Sequence, residues 1–106
     1  MKVFFDECVP KPLAKLLPGH EVKTAQNLGW GSLKNGELID RAEEAGFLVF
    51  VTGDKNLKYQ QNLKRNSIAL LILPTNYWPE LRKKHSQISM ALEAIRPGEY
   101  RELVLS

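Results

Sequence analysis

The chain has one cysteine, two histidines and no long apolar run among its 106 residues, and each scarcity removes a class of function. A single cysteine closes no internal disulfide and suits a reducing compartment. The longest unbroken apolar stretch, Ile68 to Leu73, has the length of a strand and falls far short of the roughly 20 residues that a membrane-spanning helix needs. His20 and His85 stand alone, with no serine or cysteine beside them in a recognisable arrangement, which argues against a hydrolytic triad. Cys8 has no histidine next to it and is expected to be a small buried hydrophobe rather than a nucleophile. The first residues enter a strand directly, without a charged leader or an apolar signal segment, so cytoplasmic residence with no membrane contact is expected.

What remains is an ordinary globular composition, 43% hydrophobic and 25% charged, at the size of one small domain spanning residues 1–106. The charge is unevenly divided. Residues 1–53 carry six Lys/Arg against seven Asp/Glu, a net −1, whereas residues 54–106 carry nine against five, a net +4. An acidic half suited to cations beside a basic half suited to phosphates is how a nucleic-acid enzyme would divide its work; solvated surface charge explains the same asymmetry.

Periodicity supplies the elements. Lys2 to Phe5 reads as a buried strand. Leu13, Leu16 and Leu17 form a short helical stripe stopped at Pro18-Gly19, and His20 to Thr24 reads as a weak second strand. Gly29-Trp30-Gly31 is a loop with an aromatic anchor. Glu37 to Ala45 is helical and ends at Gly46, and Phe47 to Thr52 is a strand. Asp54 to Leu63 reads as a helix, Ile68 to Leu73 as a continuous apolar strand, Trp78 to Ile95 as the longest helix and Tyr100 to Leu105 as an edge strand. Strands alternating with helix-sized segments predict an α/β fold, a three-layer α/β/α sandwich with a mainly parallel sheet of about five strands.

The acids fall where such a sheet binds ligands. Asp6 follows the first strand and Asp54 follows the strand ending at Thr52, and strand carboxyl ends share one edge in a parallel sheet. Carboxylates gathered there repel each other unless a cation or a proton neutralises them, which points to a divalent metal. Helix capping is the competing role for each aspartate alone. Glu7 would face away from Asp6 if the strand continued. Glu37 and Asp40 lie one turn apart on the second helix, and Asn35 ahead of it suits an N-cap or an oxygen ligand.

The runs Phe4-Phe5-Asp6-Glu7-Cys8-Val9-Pro10, Asn35-Gly36-Glu37-Leu38-Ile39 and Phe50-Val51-Thr52-Gly53-Asp54-Lys55-Asn56-Leu57 resemble the compact PIN-like domain family, small relatives of the VapC toxin nucleases. The resemblance implies a metal-dependent endoribonuclease, the toxin of a toxin-antitoxin pair. Asp6, Glu37 and Asp54 would be its catalytic acids and its Mg²⁺ or Mn²⁺ ligands, with Thr52, Asn35 and Glu7 in support. It also implies an antitoxin protein as partner and leaves homodimerisation open. Compact members often carry an Asp where this chain has Asn35, which leaves a second outcome, a catalytically weakened module that binds RNA or a protein. A phosphoacceptor receiver domain ranks third, because the last strand is followed by no lysine. From Asp54 to Arg65, Lys55, Lys58, Tyr59, Gln61 and Arg65 mix cations, amides and an aromatic ring in a way that suits single-stranded RNA, and equally suits an amphipathic helix with a charged face. Arg82-Lys83-Lys84-His85 is a further basic run, read as solvated surface.

Overall fold

The computed structural model describes residues 1–33, 35–55 and 67–106. Five strands, β1 (Lys2–Phe5), β2 (Glu21–Thr24), β3 (Val49–Thr52), β4 (Ala69–Ile72) and β5 (Tyr100–Glu102), form one all-parallel sheet in the order β2-β1-β3-β4-β5. A parallel strand covered on both faces needs apolar side chains on both, and β3 and β4 are buried at every position. β2 alternates between exposed and half-buried residues, as an edge strand with one covered face should.

The sheet's two faces bury separate clusters. Phe4, Phe50, Leu70 and Ile72 meet Leu38, Ile39 and Ala42 from α1 (Asn35–Glu44), together with Ala25 and Phe47. Val3, Phe5, Val49, Val51 and Leu71 meet Leu13 of a 3-10 helix (Lys11–Leu16), Leu81 of α2 (Trp78–Lys83), and Ile88 and Leu92 of α3 (His85–Ala94). The result is the expected three-layer α/β/α arrangement. Trp30 anchors its loop as its sequence context suggests, stacking on Phe4 at 5.7 Å between ring centroids, while Phe4 stacks in turn on Phe50 at 5.2 Å.

Helix ends follow their sequence signals where glycine supplies them. Gly46 takes φ +88°; its N–H bonds the Glu43 carbonyl and the Phe47 N–H bonds the Ala42 carbonyl, the paired closure that a left-handed residue permits. Lys2 adds its ammonium to the Ala45 carbonyl at 2.7 Å, a cation at the negative end of α1.

Three elements differ from the sequence reading. The first helix is a 3-10 turn, with the Leu13 N–H bonding the Pro10 carbonyl and the Leu17 N–H bonding the Ala14 carbonyl, because six residues leave little room for an α-helical ladder. The stretch from Trp78 to Ile95 is two helices. Lys84 leaves helical geometry at φ −111°, ψ 23°, at a point where Arg82 to His85 supply no buried side chain to hold a continuous axis. β5 stops at Glu102, although the Leu103 N–H still bonds Ile72 and Leu103 and Leu105 remain partly buried around an exposed Val104. The helix expected from Asp54 to Leu63 lies outside the described residues beyond Lys55. Among the described residues no helix is long and apolar enough to cross a membrane.

Candidate functional site

In the order β2-β1-β3-β4-β5 the chain winds outward from β1 in one direction and then from β3 in the other, so the switch point lies between β1 and β3. Crevices open outside the carboxyl ends of strands at such a point because successive connections leave on opposite faces. Asp6 follows β1 and Gly53-Asp54 follow β3 at this position. Register brings them level: Phe5 pairs with Val51, and the Asp6 N–H extends the ladder by one bond to the Val51 carbonyl, 2.9 Å.

Thr52 joins the two acids. Its side chain is fully buried and donates its hydroxyl proton to Asp6 Oδ2 at 2.8 Å, while its oxygen accepts the Asp54 N–H at 3.1 Å. Asp6 is 8% exposed, and its other oxygen accepts the N–H of Glu7 at 2.8 Å. These contacts fix the carboxylate without exhausting it, since its two oxygens offer about four lone-pair sites. Part of what Asp6 does is the local backbone capping that competes with metal binding. Its bond to Thr52 and its place beside Asp54 go beyond that role.

The crevice itself, about 830 Å³, is lined by Asp6, Glu7, Cys8, Gly53, Asp54 and the Pro74–Asn76 turn that follows β4. Three of these features depart from or extend the sequence reading. Glu7 shares the wall with Asp6 instead of facing away, because β1 ends at Phe5 and strand alternation no longer governs residue 7. Cys8 is exposed rather than buried; its sulfur accepts the Gly53 N–H at 3.2 Å and lies 3.6 Å from Thr52 Oγ1. Thr75 and Asn76 were missed, although they follow an apolar strand just as Asp6 and Asp54 do.

Glu37 is exposed in the first turn of α1 and does not line this crevice. Asn35 is the first residue of α1. Of the RNA-binding candidates Lys55 is exposed next to Asp54, whereas Lys58, Tyr59, Gln61 and Arg65 lie outside the described residues. Among the described residues no group of three or more His, Cys, Asp or Glu side chains is placed to hold one metal ion, so Asp6, Glu37 and Asp54 do not form a three-carboxylate cage. The donors at the crevice are mostly oxygens, and two carboxylates with water completing the shell is an arrangement that suits a hydrated Mg²⁺ or Mn²⁺.

A family model described as a PIN like domain matches residues 1–72, which takes in β1 to β4, both aspartates and Thr52. No curated protein and no solved structure matches the chain. With more than half of its length covered by that match, the chain belongs to the PIN-like domain family.

Proposed function

We propose that this protein is a metal-dependent endoribonuclease, the toxin of a toxin-antitoxin pair, that hydrolyses RNA phosphodiesters at the crevice between β1 and β3. One observation carries the reading: folding brings Asp6 and Asp54, far apart in sequence, to one cleft at the sheet's switch point, tied through a single buried hydroxyl. Asp6 and Asp54 would hold a Mg²⁺ or Mn²⁺ ion, with Glu7 beside them. The ion, when bound, supplies Lewis acidity toward a phosphoryl oxygen and toward water. Thr52 orients Asp6 through the 2.8 Å bond and keeps the Asp54 backbone in place. Glu37 remains the candidate third acid from the resemblance, although it does not line the crevice. RNA as substrate, an antitoxin protein covering the crevice, a homodimer and cytoplasmic residence belong to the same proposal.

The purified protein should cut single-stranded RNA with Mn²⁺ or Mg²⁺ and not with EDTA. Asp6→Asn and Asp54→Asn should each remove cutting while circular dichroism stays unchanged. Equal cleavage by both variants would overturn the assignment.

A second reading is a PIN-like module that binds RNA or protein without catalysis. It is favoured by the engagement of both Asp6 oxygens in local hydrogen bonds and by Asn35 in place of an acid. Isothermal titration separates the two, because a binding module would take up no Mn²⁺ at millimolar concentration while still binding RNA in a salt-sensitive way.

A further inference from the structure

We infer that Lys11 is a phosphate-binding residue, holding the backbone of single-stranded RNA on the β2 side of the acid pair. The inference rests on the nuclease reading and adds the path by which substrate crosses the site. A second hollow, about 240 Å³, opens beside the main crevice and is lined by Asp6, Glu7, Val9, Lys11, Thr24, Ala25 and Gln26. Asp6 and Glu7 belong to both hollows, so they form a ridge with open space on either side.

A polyanion laid across that ridge meets two carboxylates and is repelled unless cations flank them. Among the described residues, Lys11 is the cation that lines the hollow on the β2 side. It leaves β1's exit turn in the first residue of the 3-10 helix, and its ammonium donates to the side-chain oxygen of Gln26 on the loop after β2. That partner is a neutral amide, so the contact positions the ammonium without cancelling its charge. The hollow is smaller than the roughly 300 Å³ at which clefts begin to hold drug-sized ligands, which suits a phosphate group better than a stacked base. Thr24 adds a hydroxyl to the same wall; its oxygen accepts the Asn27 N–H, leaving its proton free to donate. Because the two hollows share Asp6 and Glu7, a strand with its scissile phosphate over Asp6 and Asp54 would set another of its phosphates in the hollow that Lys11 lines.

The test is fluorescence anisotropy of a labelled single-stranded RNA in EDTA, where no cutting occurs, titrated with salt. Lys11→Gln should weaken binding roughly fivefold at low salt. It should also reduce the magnitude of the slope of log K against log salt by about 0.7, the increment of one phosphate contact on a single strand. Lys11→Arg should keep the wild-type slope, since the cation is retained. Gln26→Ala should keep it too, because a residue that merely latched two loops together would lose its function in that variant as well. In cleavage assays Lys11→Gln should raise KM with little change in kcat. If the wild type binds RNA and Lys11→Gln matches it in slope and affinity, the assignment is wrong while the nuclease reading stands. If the wild type binds no RNA, both fail together.

Discussion

Thr52 is the residue on which the site's geometry turns. Its hydroxyl donates one bond and accepts another within the acid pair and also meets the Cys8 sulfur, so replacing it with the near-isosteric valine removes these contacts without opening a cavity. Leaving Asp6 Oδ2 and the Asp54 N–H without this partner should cost about 1–3 kcal/mol. Thr52→Val should therefore lower the urea midpoint by that equivalent and reduce metal-dependent RNA cleavage, whereas Thr52→Ser should restore both. A valine variant with an unchanged midpoint would show that the hydroxyl holds nothing. At this scale much was legible from sequence. An apolar run ending in an acid marks a strand leaving its sheet, and Asp6 and Asp54 were visible for that reason. Glu7 was left open because its direction depended on whether β1 continued, and β1 ends at Phe5. Cys8, Thr75 and Asn76 carried no motif, and Lys11 acquires meaning only when β2 folds back alongside β1 and sets Gln26 opposite it.

At the scale of elements, the turn into β5 is held by an acid. Glu99 accepts the Arg96 N–H at 2.9 Å and the Arg101 Nε–H at 2.8 Å. The Arg96 backbone bond is the largest influence and holds this carboxyl below its ordinary value; desolvation opposes it, and the Arg101 side chain adds to the lowering. A carboxyl depressed in the folded state stabilises the fold above its unfolded pKa, about 4.3, and loses that contribution as pH falls through its lower folded value. Glu99→Gln should melt below the wild type at pH 7, with the gap closing as the pH is taken below 4 in parallel melts; a gap that is constant with pH would mean the charge is irrelevant. The strands, α1 and its Gly46 stop were readable because period and punctuation agree there. The break at Lys84 was not, since Leu81 and Ile88 stand seven residues apart, the spacing of two turns of one unbroken helix, and no proline or glycine marks the point between them.

For the molecule as a whole, stability concentrates where the switch point lies. β1 and β3 are neighbours at the middle of the sheet, and Phe50 of β3 is fully buried, stacked on Phe4, which is stacked on Trp30. Phe50→Ala should cost about 3–5 kcal/mol, a large share of the stability of a domain this size. Its denaturation midpoint, followed by far-UV circular dichroism, should fall accordingly, and a midpoint like the wild type's would contradict the packing described. The same centrality explains why the overall architecture was accessible from the sequence. Continuous apolar strands separated by helix-length segments leave a parallel sheet with both faces covered as the economical solution, whereas the convergence of two loops on one hollow depends on strand order, which periodicity does not encode.

The extra ladder bond from the Asp6 N–H to the Val51 carbonyl has a further consequence. It puts the first aspartate on the sheet's own ruler, a strand spacing of about 4.8 Å that side-chain rearrangement does not stretch. Asp54 lies two residues past the matching point on β3, beyond the last rung. A vice of this design has one jaw cast into the frame and the other mounted outside it. Differences in the size of whatever is gripped must be absorbed on the Asp54 side.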